Sequence, residues 1–156
     1  MKILVISDTH ENYPLALSAI GMAAPIDALI HLGDGKSDTD LLGQLLDVPF
    51  IRIVGNCDGD SDAPRELVWE CEGNRLLLLH GDRYGVKNGL GRLERHAAEI
   101  GVDAVLYGHT HLAAVDTLSG ILFVNPGTLM QSSVFKSFAI VEVSPAGVSA
   151  RLHSLP

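Results

Sequence analysis

The first half of the chain alternates short apolar runs with segments whose apolar residues recur at helical spacing. Three continuous apolar runs predict strands buried on both faces: Lys2–Ser7, Asp27–Leu32 and Phe50–Val54. The two segments between them predict helices: Pro14–Ala23 and Ser37–Leu46. The resulting β-α-β-α-β order predicts parallel strands joined by right-handed crossovers.

The spacing also predicts which helix faces are buried. Pro14 suits a first helical turn, and Leu15, Ala19 and Met22 then share one face. In the second helix Ser37 or Asp38 is the expected N-cap. Its predicted inward residues are Leu41, Leu42, Leu45 and Leu46.

The second half is richer in strands. Glu66–Cys71 and Arg75–Leu79 flank the turn residues Glu-Gly-Asn and predict a hairpin. Asn88–Ile100 predicts a helix, and Ala104–Tyr107 a strand after it. The remaining predicted strands are Ala113–Leu118, Ile121–Val124, Phe138–Val143 and Val148–Leu152. The pattern predicts an α/β fold with two facing mixed β-sheets flanked by helices, in a single domain over residues 1–156.

Composition narrows the possible functions. The 156 residues are 47% apolar, 19% charged and carry a net charge of −8. That charge argues against broad binding to nucleic acid or anionic membranes, although it allows a small, locally positive site. No apolar run approaches the roughly 20 residues of a membrane span, and the N-terminal run is too short for a secretory signal. Because the spacing of Cys57 and Cys71 fits neither CxxC nor a disulfide framework, we expect a soluble, cytoplasmic protein with free thiols.

Polar residues follow five of the predicted strands at the point where each strand ends. They are Asp8, His10, Asp34, Asn56, His80, His109 and His111. Since ligands bind outside the carboxyl ends of strands in open α/β sheets, we expect these side chains to meet at one edge. Carboxylates, imidazoles and a carboxamide suit manganese, iron, zinc, cobalt or nickel, and seven ligands fit two ions better than one.

Each of these residues alone has an ordinary structural explanation. Asp8 could cap a helix, Asp34, Asn56 and Asp58 could be turn residues, and His80 could be a structural histidine. His109 and His111 favour metal binding as a pair, because alternation places both on one side of an extended segment. The structural interpretation is retained for residues outside the set: His31 is expected to be packed, and His96, His153, Arg92 and Arg95 to be solvated or peripheral.

The short sequences DTH, GD, GNCD, HGD and GHTH, in that order from Asp8 to His111, resemble the calcineurin-like metallophosphoesterases. The compact length, the GNCD variant and NPGT at Asn125–Thr128 are similar to the small YfcE/MJ0936-like phosphodiesterase branch. The resemblance implies that Asp8, His10 and His111 hold one ion. It implies that Asn56, His80 and His109 hold the other, with Asp34 bridging the two and Thr110 turned away.

The resemblance implies a hydrolase acting on phosphate esters, most simply a phosphodiesterase. A hydroxide bridging two divalent ions would attack phosphorus in line, and Asp34, Asn56 and His109 would be catalytic as well as metal-binding. Two divalent ions with two carboxylates and one hydroxide leave a formal charge of about +1, which favours an anionic substrate. The expected cofactor is a pair of manganese ions, with iron, nickel, cobalt and zinc as alternatives, and the expected substrate is a small-molecule phosphate ester.

Four further residues are predicted to contact substrate. Cys57 stands where many members of the wider superfamily have a histidine that protonates the leaving group, and Asp58 follows it. Because a thiol is a poor match for that role, we expect faster hydrolysis of esters with activated leaving groups. Asn125 and Gly127 are expected to line the site through their backbone groups.

Two other functions stay open. One is a phosphomonoesterase. The other is a non-catalytic protein-binding scaffold, because a eukaryotic trafficking subunit of similar sequence keeps the fold with eroded ligands. A nuclease is less attractive for an acidic chain, and an exposed edge strand could pair two copies into a homo-oligomer.

Overall fold

The computed structural model describes residues 1–156 and contains ten strands and three α-helices. The strands are β1 (Lys2–Ile6), β2 (Ala28–His31), β3 (Phe50–Arg52), β4 (Glu66–Cys71), β5 (Asn74–Leu79), β6 (Ala104–Leu106), β7 (Ala114–Leu118), β8 (Ile121–Asn125), β9 (Lys136–Ser144) and β10 (Gly147–Leu155). The helices are α1 (Tyr13–Ala23), α2 (Lys36–Leu45) and α3 (Gly91–Ile100). None of them combines the length and apolar character needed to cross a bilayer.

Two five-stranded mixed sheets form the centre of the fold. The first has the order β10-β9-β1-β2-β3, with β1, β2 and β3 parallel. The second has the order β4-β5-β6-β8-β7, with β5, β6 and β8 parallel and β4–β5 an antiparallel hairpin. The predicted α/β fold of two facing mixed sheets is therefore confirmed.

The core explains the continuous apolar runs of the sequence. In β1, Ile3 and Val5 join a cluster that also contains Leu76 and Leu78 of β5. The alternate residues of β1 face α1 and α2, and the alternate residues of β5 face α3. Because the central strands are covered on both faces, they lack the apolar–polar alternation of a half-exposed sheet.

The predicted helix faces need correction. In α1 the buried residues are Ala16, Ala19 and Ala23, whereas Met22 is 57% exposed. Small residues on the buried face let the helix lie close to the sheet. In α2 Leu42 is buried, whereas Leu41 and Leu45 are exposed. Leu46, just after the helix, is partly buried against the core as predicted. The N-cap is Gly35 rather than Ser37 or Asp38.

The helix predicted from Asn88 begins instead at Gly91. Two short 3₁₀ turns, Asp82–Tyr84 and Val86–Asn88, occupy the segment before it. Gly85 and Gly89 have φ values of 61° and 128°, and this backbone conformation stops a continuous α-helix.

Candidate metal centre

The loops that follow the parallel strands are joined by backbone hydrogen bonds at one edge of both sheets. Asp8 N donates to Gly33 O at 2.9 Å, and His10 N donates to Asp34 O at 3.1 Å. In the second sheet Gly108 N donates to His80 O at 3.0 Å. Each of these bonds joins residues 24–28 positions apart. His109 N donates to Asp8 Oδ2 at 3.1 Å and joins the two sheets across 101 positions, as expected for the carboxyl ends of α/β strands.

The first ligand cluster contains Asp8, His10 and His111, whose candidate ligand atoms all lie within 4.8 Å of one another. Asp8 Oδ1 lies 3.1 Å from His111 Nε2 and 3.8 Å from His10 Nε2. The other carboxylate oxygen, Oδ2, accepts hydrogen bonds from Ser7 Oγ and from His109 N. The protein therefore holds one oxygen of Asp8 and leaves the other facing the imidazoles.

The second cluster contains Asp34, His80 and His109, again within 4.8 Å. His80 Nε2 lies 3.2 Å from both Asp34 Oδ2 and His109 Nδ1. His80 Nδ1 donates to Leu32 O at 2.8 Å, which turns Nε2 toward the cluster. Asp34 Oδ1 accepts from Cys57 N at 2.8 Å, so Asp34 repeats the division of roles found in Asp8.

Asp34 lies between the two clusters. Its Oδ2 is 3.2 Å from His80 of the second cluster and 3.9 Å from His10 of the first. This is the position that a bridging carboxylate requires.

The backbone at these residues is strained. Eight residues other than glycine have positive φ, and five of them are predicted ligands: Asp8, His10, Asp34, His109 and His111. For residues with a Cβ this conformation is uncommon and costs of order 1 kcal/mol or more each. Such strain clusters at functional sites, because the surrounding structure holds side chains where the site needs them.

Two glycines allow the loops to approach closely. A Cβ at Gly55 would lie 2.1 Å from Asp34 Oδ1, and a Cβ at Gly108 would lie 2.1 Å from Ser7 Oγ. Any side chain at either position would displace a loop that carries ligands.

The residues fit a pair of metal ions. His10 Nε2 is buried and has no hydrogen-bond partner, which is costly unless a ligand satisfies it. Donor atoms bound about 2.0–2.2 Å from one ion lie roughly 3 Å apart. The separations between His111 and Asp8, His80 and Asp34, and His109 and His80 are 3.1–3.2 Å.

The electrostatics of the site favour ionised carboxylates. Burial opposes ionisation of Asp8, but His10 and His111 outweigh it and hold its pKa far below the ordinary value. Burial likewise opposes ionisation of Asp34, and hydrogen bonds from His80 and Cys57 N lower its pKa overall. The pKa of His10 is raised by the adjacent Asp8, whereas burial and the neighbouring His80 lower that of His109.

The GNCD loop lies beside the clusters. Asn56 is exposed, and its amide nitrogen lies 3.4 Å from Cys57 Sγ, so its role as a ligand stays a prediction. Burial and the charge of Asp34 raise the pKa of the Cys57 thiol, which is therefore neutral at pH 7.

Asp58 accepts hydrogen bonds of 2.7–2.9 Å from four backbone N–H groups, those of Asp34, Gly35, Lys36 and Gly55. Asp58 thus fastens two loops together, and its contact with substrate stays a prediction.

Asn125 and Gly127 support the site from behind. Asn125 is fully buried, and its amide donates to Gly108 O and Thr110 Oγ1. Gly127 is also buried, and its N donates to Asn125 Oδ1. These bonds hold the GHTH loop and turn Thr110 toward Asn125. Direct contact of either residue with substrate stays a prediction, and their burial does not support it.

One positioning residue was missed by sequence reasoning. His31 is fully buried as expected, but its ring nitrogens also join two ligand loops. Nδ1 accepts from Gly33 N at 3.1 Å, so the proton resides on Nε2, which lies 3.0 Å from Thr9 Oγ1. The signal was the histidine inside an apolar strand, which has to find polar partners when buried.

A cavity of about 360 Å³ opens beside the clusters. It is lined by His10, Glu11, Asp34, Gly35, Lys36, Ser37, Cys57 and Asp58. A nearly all-polar cavity of this size suits a small, polar organic group.

The chain is similar to proteins of one known family. Residues 1–145 match the family described as the calcineurin-like phosphoesterase superfamily domain. The chain is 31% identical over 156 residues to the probable metallophosphoesterase YsnB of Bacillus subtilis, covering 98% of this chain and 90% of YsnB. It is 29% identical over 153 residues to the phosphodiesterase YfcE of Escherichia coli K12, covering 83% and 79%. Vps29 of Entamoeba histolytica, solved with Zn²⁺, shares the fold with a TM-score of 0.77 at 21% identity, covering 99% and 98%.

Proposed function

We propose a function from the premise that the chain belongs to the calcineurin-like phosphoesterase superfamily, as its match over residues 1–145 and its 31% identity to YsnB establish. The proposed activity is metal-dependent hydrolysis of a small-molecule phosphodiester. The observation that carries this proposal is the pair of carboxylate–imidazole clusters with Asp34 between them.

The ligands divide between two ions. Asp8, His10 and His111 would hold one, and Asn56, His80 and His109 would hold the other, with Asp34 shared. When bound, two divalent ions would supply a hydroxide near neutral pH for in-line attack and would neutralise charge on the phosphoryl oxygens. Manganese is our expected metal, and iron, nickel, cobalt and zinc suit the same donors.

The protein's own residues prepare this site in three ways. Asp8 and Asp34 keep low pKa values and remain ionised, so they are ready to bind cations. The hydrogen bond from His80 Nδ1 to Leu32 O keeps that imidazole in one orientation. Because His10 and His80 have raised pKa values, protons compete with ions for these imidazoles more strongly than for an ordinary histidine, so ion binding should weaken as pH falls.

The leaving group would lie near the polar cavity beside Cys57. A neutral thiol of raised pKa is a weak general acid, so esters with good leaving groups should react faster than alkyl esters. The name of YfcE favours diesters over monoesters. The likeness to Vps29 keeps a non-catalytic scaffold as the second candidate, but at 21% identity it concerns the fold alone.

The first experiment is hydrolysis of bis-p-nitrophenyl phosphate by metal-free protein with and without added Mn²⁺. We expect turnover that requires the ion and disappears after chelation, and slower hydrolysis of p-nitrophenyl phosphate in parallel. His153→Gln, outside the site, is the control for loss of a histidine and should retain full activity. Absence of turnover with Mn²⁺, Fe²⁺, Co²⁺, Ni²⁺ and Zn²⁺ would favour the scaffold, and faster monoester hydrolysis would favour a phosphomonoesterase.

A further inference from the structure

A second cavity, of about 350 Å³, lies beside the segment that follows the predicted ligand His80. Gly81 and Asp82 form part of its wall, together with Leu79 at the end of β5. Three arginines, Arg65, Arg83 and Arg92, also line it, and we call this cavity the arginine pocket.

The three arginines come from different elements. Arg65 precedes β4, Arg83 lies in the 3₁₀ turn after β5, and Arg92 lies in the first turn of α3. Three of the seven arginines of the chain therefore line one cavity. This concentration of positive charge contrasts with the net charge of −8 for the whole protein.

None of these guanidinium groups has a protein partner. The ion pairs of arginine are those of Arg52 with Asp40 and of Arg75 with Glu70. Side-chain hydrogen bonds from arginine likewise come from Arg52 and Arg75. The donors of the arginine pocket are therefore free for a ligand.

The carboxylates of the pocket do not cancel this charge. Glu66 accepts a hydrogen bond of 2.9 Å from Tyr84 Oη and also binds His96 Nε2. The Tyr84 and His96 rings stack with their centroids 5.0 Å apart, which holds that carboxylate in place. Asp82 is then the single other acid, against three guanidinium groups.

The position of Arg92 adds to the excess of positive charge around the arginine pocket. The first turn of a helix already carries the positive end of the helix dipole, where a cation is unfavourable and an anion is favoured. α3 has no side-chain cap at its start, and Glu94 is the acidic residue of its first turn. Arg92 is exposed, as expected for a helix charge, and it also lines this cavity with two like charges.

We propose that the arginine pocket binds the phosphate group of an anionic ligand. The planar guanidinium donates two parallel hydrogen bonds to phosphate oxygens, and three such groups around one cavity can surround a phosphate. The phosphate has two sources: a second phosphate of the substrate itself, or a separate phosphorylated ligand. The first source rests on the proposed function, and the second does not.

The test uses inorganic pyrophosphate and the 156-residue protein without metal, because bound ions would themselves attract pyrophosphate. Isothermal titration calorimetry should show that the native protein binds pyrophosphate. The double variant Arg65→Gln with Arg92→Gln should weaken this binding by about 10-fold or more, given the strength of hydrogen bonds to charged groups. The control, Arg95→Gln with Arg151→Gln, removes the same charge outside the pocket and should change the affinity less than about 2-fold. Equal weakening by both double variants, or no binding by the native protein, would overturn the proposal.

Two esters then separate the sources: thymidine 5′-(p-nitrophenyl phosphate) and the same compound with an added 3′-phosphate. If the pocket binds the substrate's own phosphate, the added group lowers KM, and the pocket variant loses that advantage while hydrolysing the simpler ester normally. If it binds a separate ligand, the two esters behave alike, and pyrophosphate binding still depends on Arg65 and Arg92. Failure of the proposed function is distinct, since neither ester would be hydrolysed while the pyrophosphate result stands.

Discussion

The two ligand clusters differ in how the protein holds them. In the outer cluster (Asp8, His10, His111) the imidazoles of His10 and His111 are 26% and 31% exposed. In the deep cluster (Asp34, His80, His109) His80 and Asp34 are only 1% and 3% exposed. Asp8 of the outer cluster is fully buried as well, and positive φ occurs at all three outer residues and at Asp34 and His109. The exception is His80, whose imidazole is held by its bond to Leu32 O.

The difference shows two ways of placing a ligand. Burial and a hydrogen bond to Leu32 O orient His80, while a positive φ at each of the other five cluster residues places their side chains. A site arranged before the ion arrives loses less conformational freedom on binding, so we expect the deep cluster to retain its ion more strongly.

The largest expected effect comes from Asp34, which belongs to both clusters by distance. Asp34→Asn should lose both ions and reduce phosphodiesterase activity by more than about 100-fold, because mutation of residues behind metal ligands already costs 10–100-fold. Metal content is measured by elemental analysis beside hydrolysis of bis-p-nitrophenyl phosphate.

Asp40→Asn is the matched control, since Asp40 is exposed and pairs with Arg52. It should retain both ions and normal rates. Two ions retained by Asp34→Asn would refute the bridge and make the two clusters independent sites.

A smaller effect, on stability rather than on activity, should come from His31. Its ring joins a loop of the outer cluster at Thr9 to a loop of the deep cluster at Gly33. Burial lowers the pKa of His31 to about 4, from 6.5. The unfolded chain therefore binds a proton between these values that the folded protein excludes. The free energy of unfolding should fall as pH drops from 6.5 to 4, by about 3 kcal/mol from this group.

Urea unfolding of the metal-free protein at several pH values measures this loss, with His31→Asn as the comparison. The variant has no titrating ring and should show a shallower fall over the same range. A proton NMR titration of folded protein that places the His31 midpoint near 6.5 would contradict the prediction.

The smallest effect concerns Cys57, whose backbone N–H binds Asp34 on the deep side. Cys57→His should raise rates on alkyl esters by about 10-fold, at the low end of general-acid contributions, and change the pH profile. Cys71 is buried, so Cys71→His cannot serve as a matched control. The control is Cys57→Ser, which tests the loss of the thiol alone. An unchanged profile in Cys57→His would remove this position from the leaving-group side.

Much of the fold was predictable because burial on both faces leaves a direct mark on sequence. β1, β2 and β5 each contain a continuous apolar run. The parallel direction of β1, β2 and β3 followed from the helices between them. Helix faces were less predictable, since Met22 and Leu45 have the same hydrophobicity as core residues but point outward. The predicted start of α3 was wrong, because Gly85 and Gly89 interrupt a segment whose apolar spacing alone indicates a continuous helix.

The sequence by itself determined the ligand types, their order along the chain and their places at strand ends, because strand ends and polar residues are local features. Only the tertiary structure decided which oxygen of each aspartate faces the imidazoles, that Asp58 fastens two loops, and that three arginines share one cavity. Those features depend on distances between loops far apart in the chain, and packing of the two sheets sets these distances.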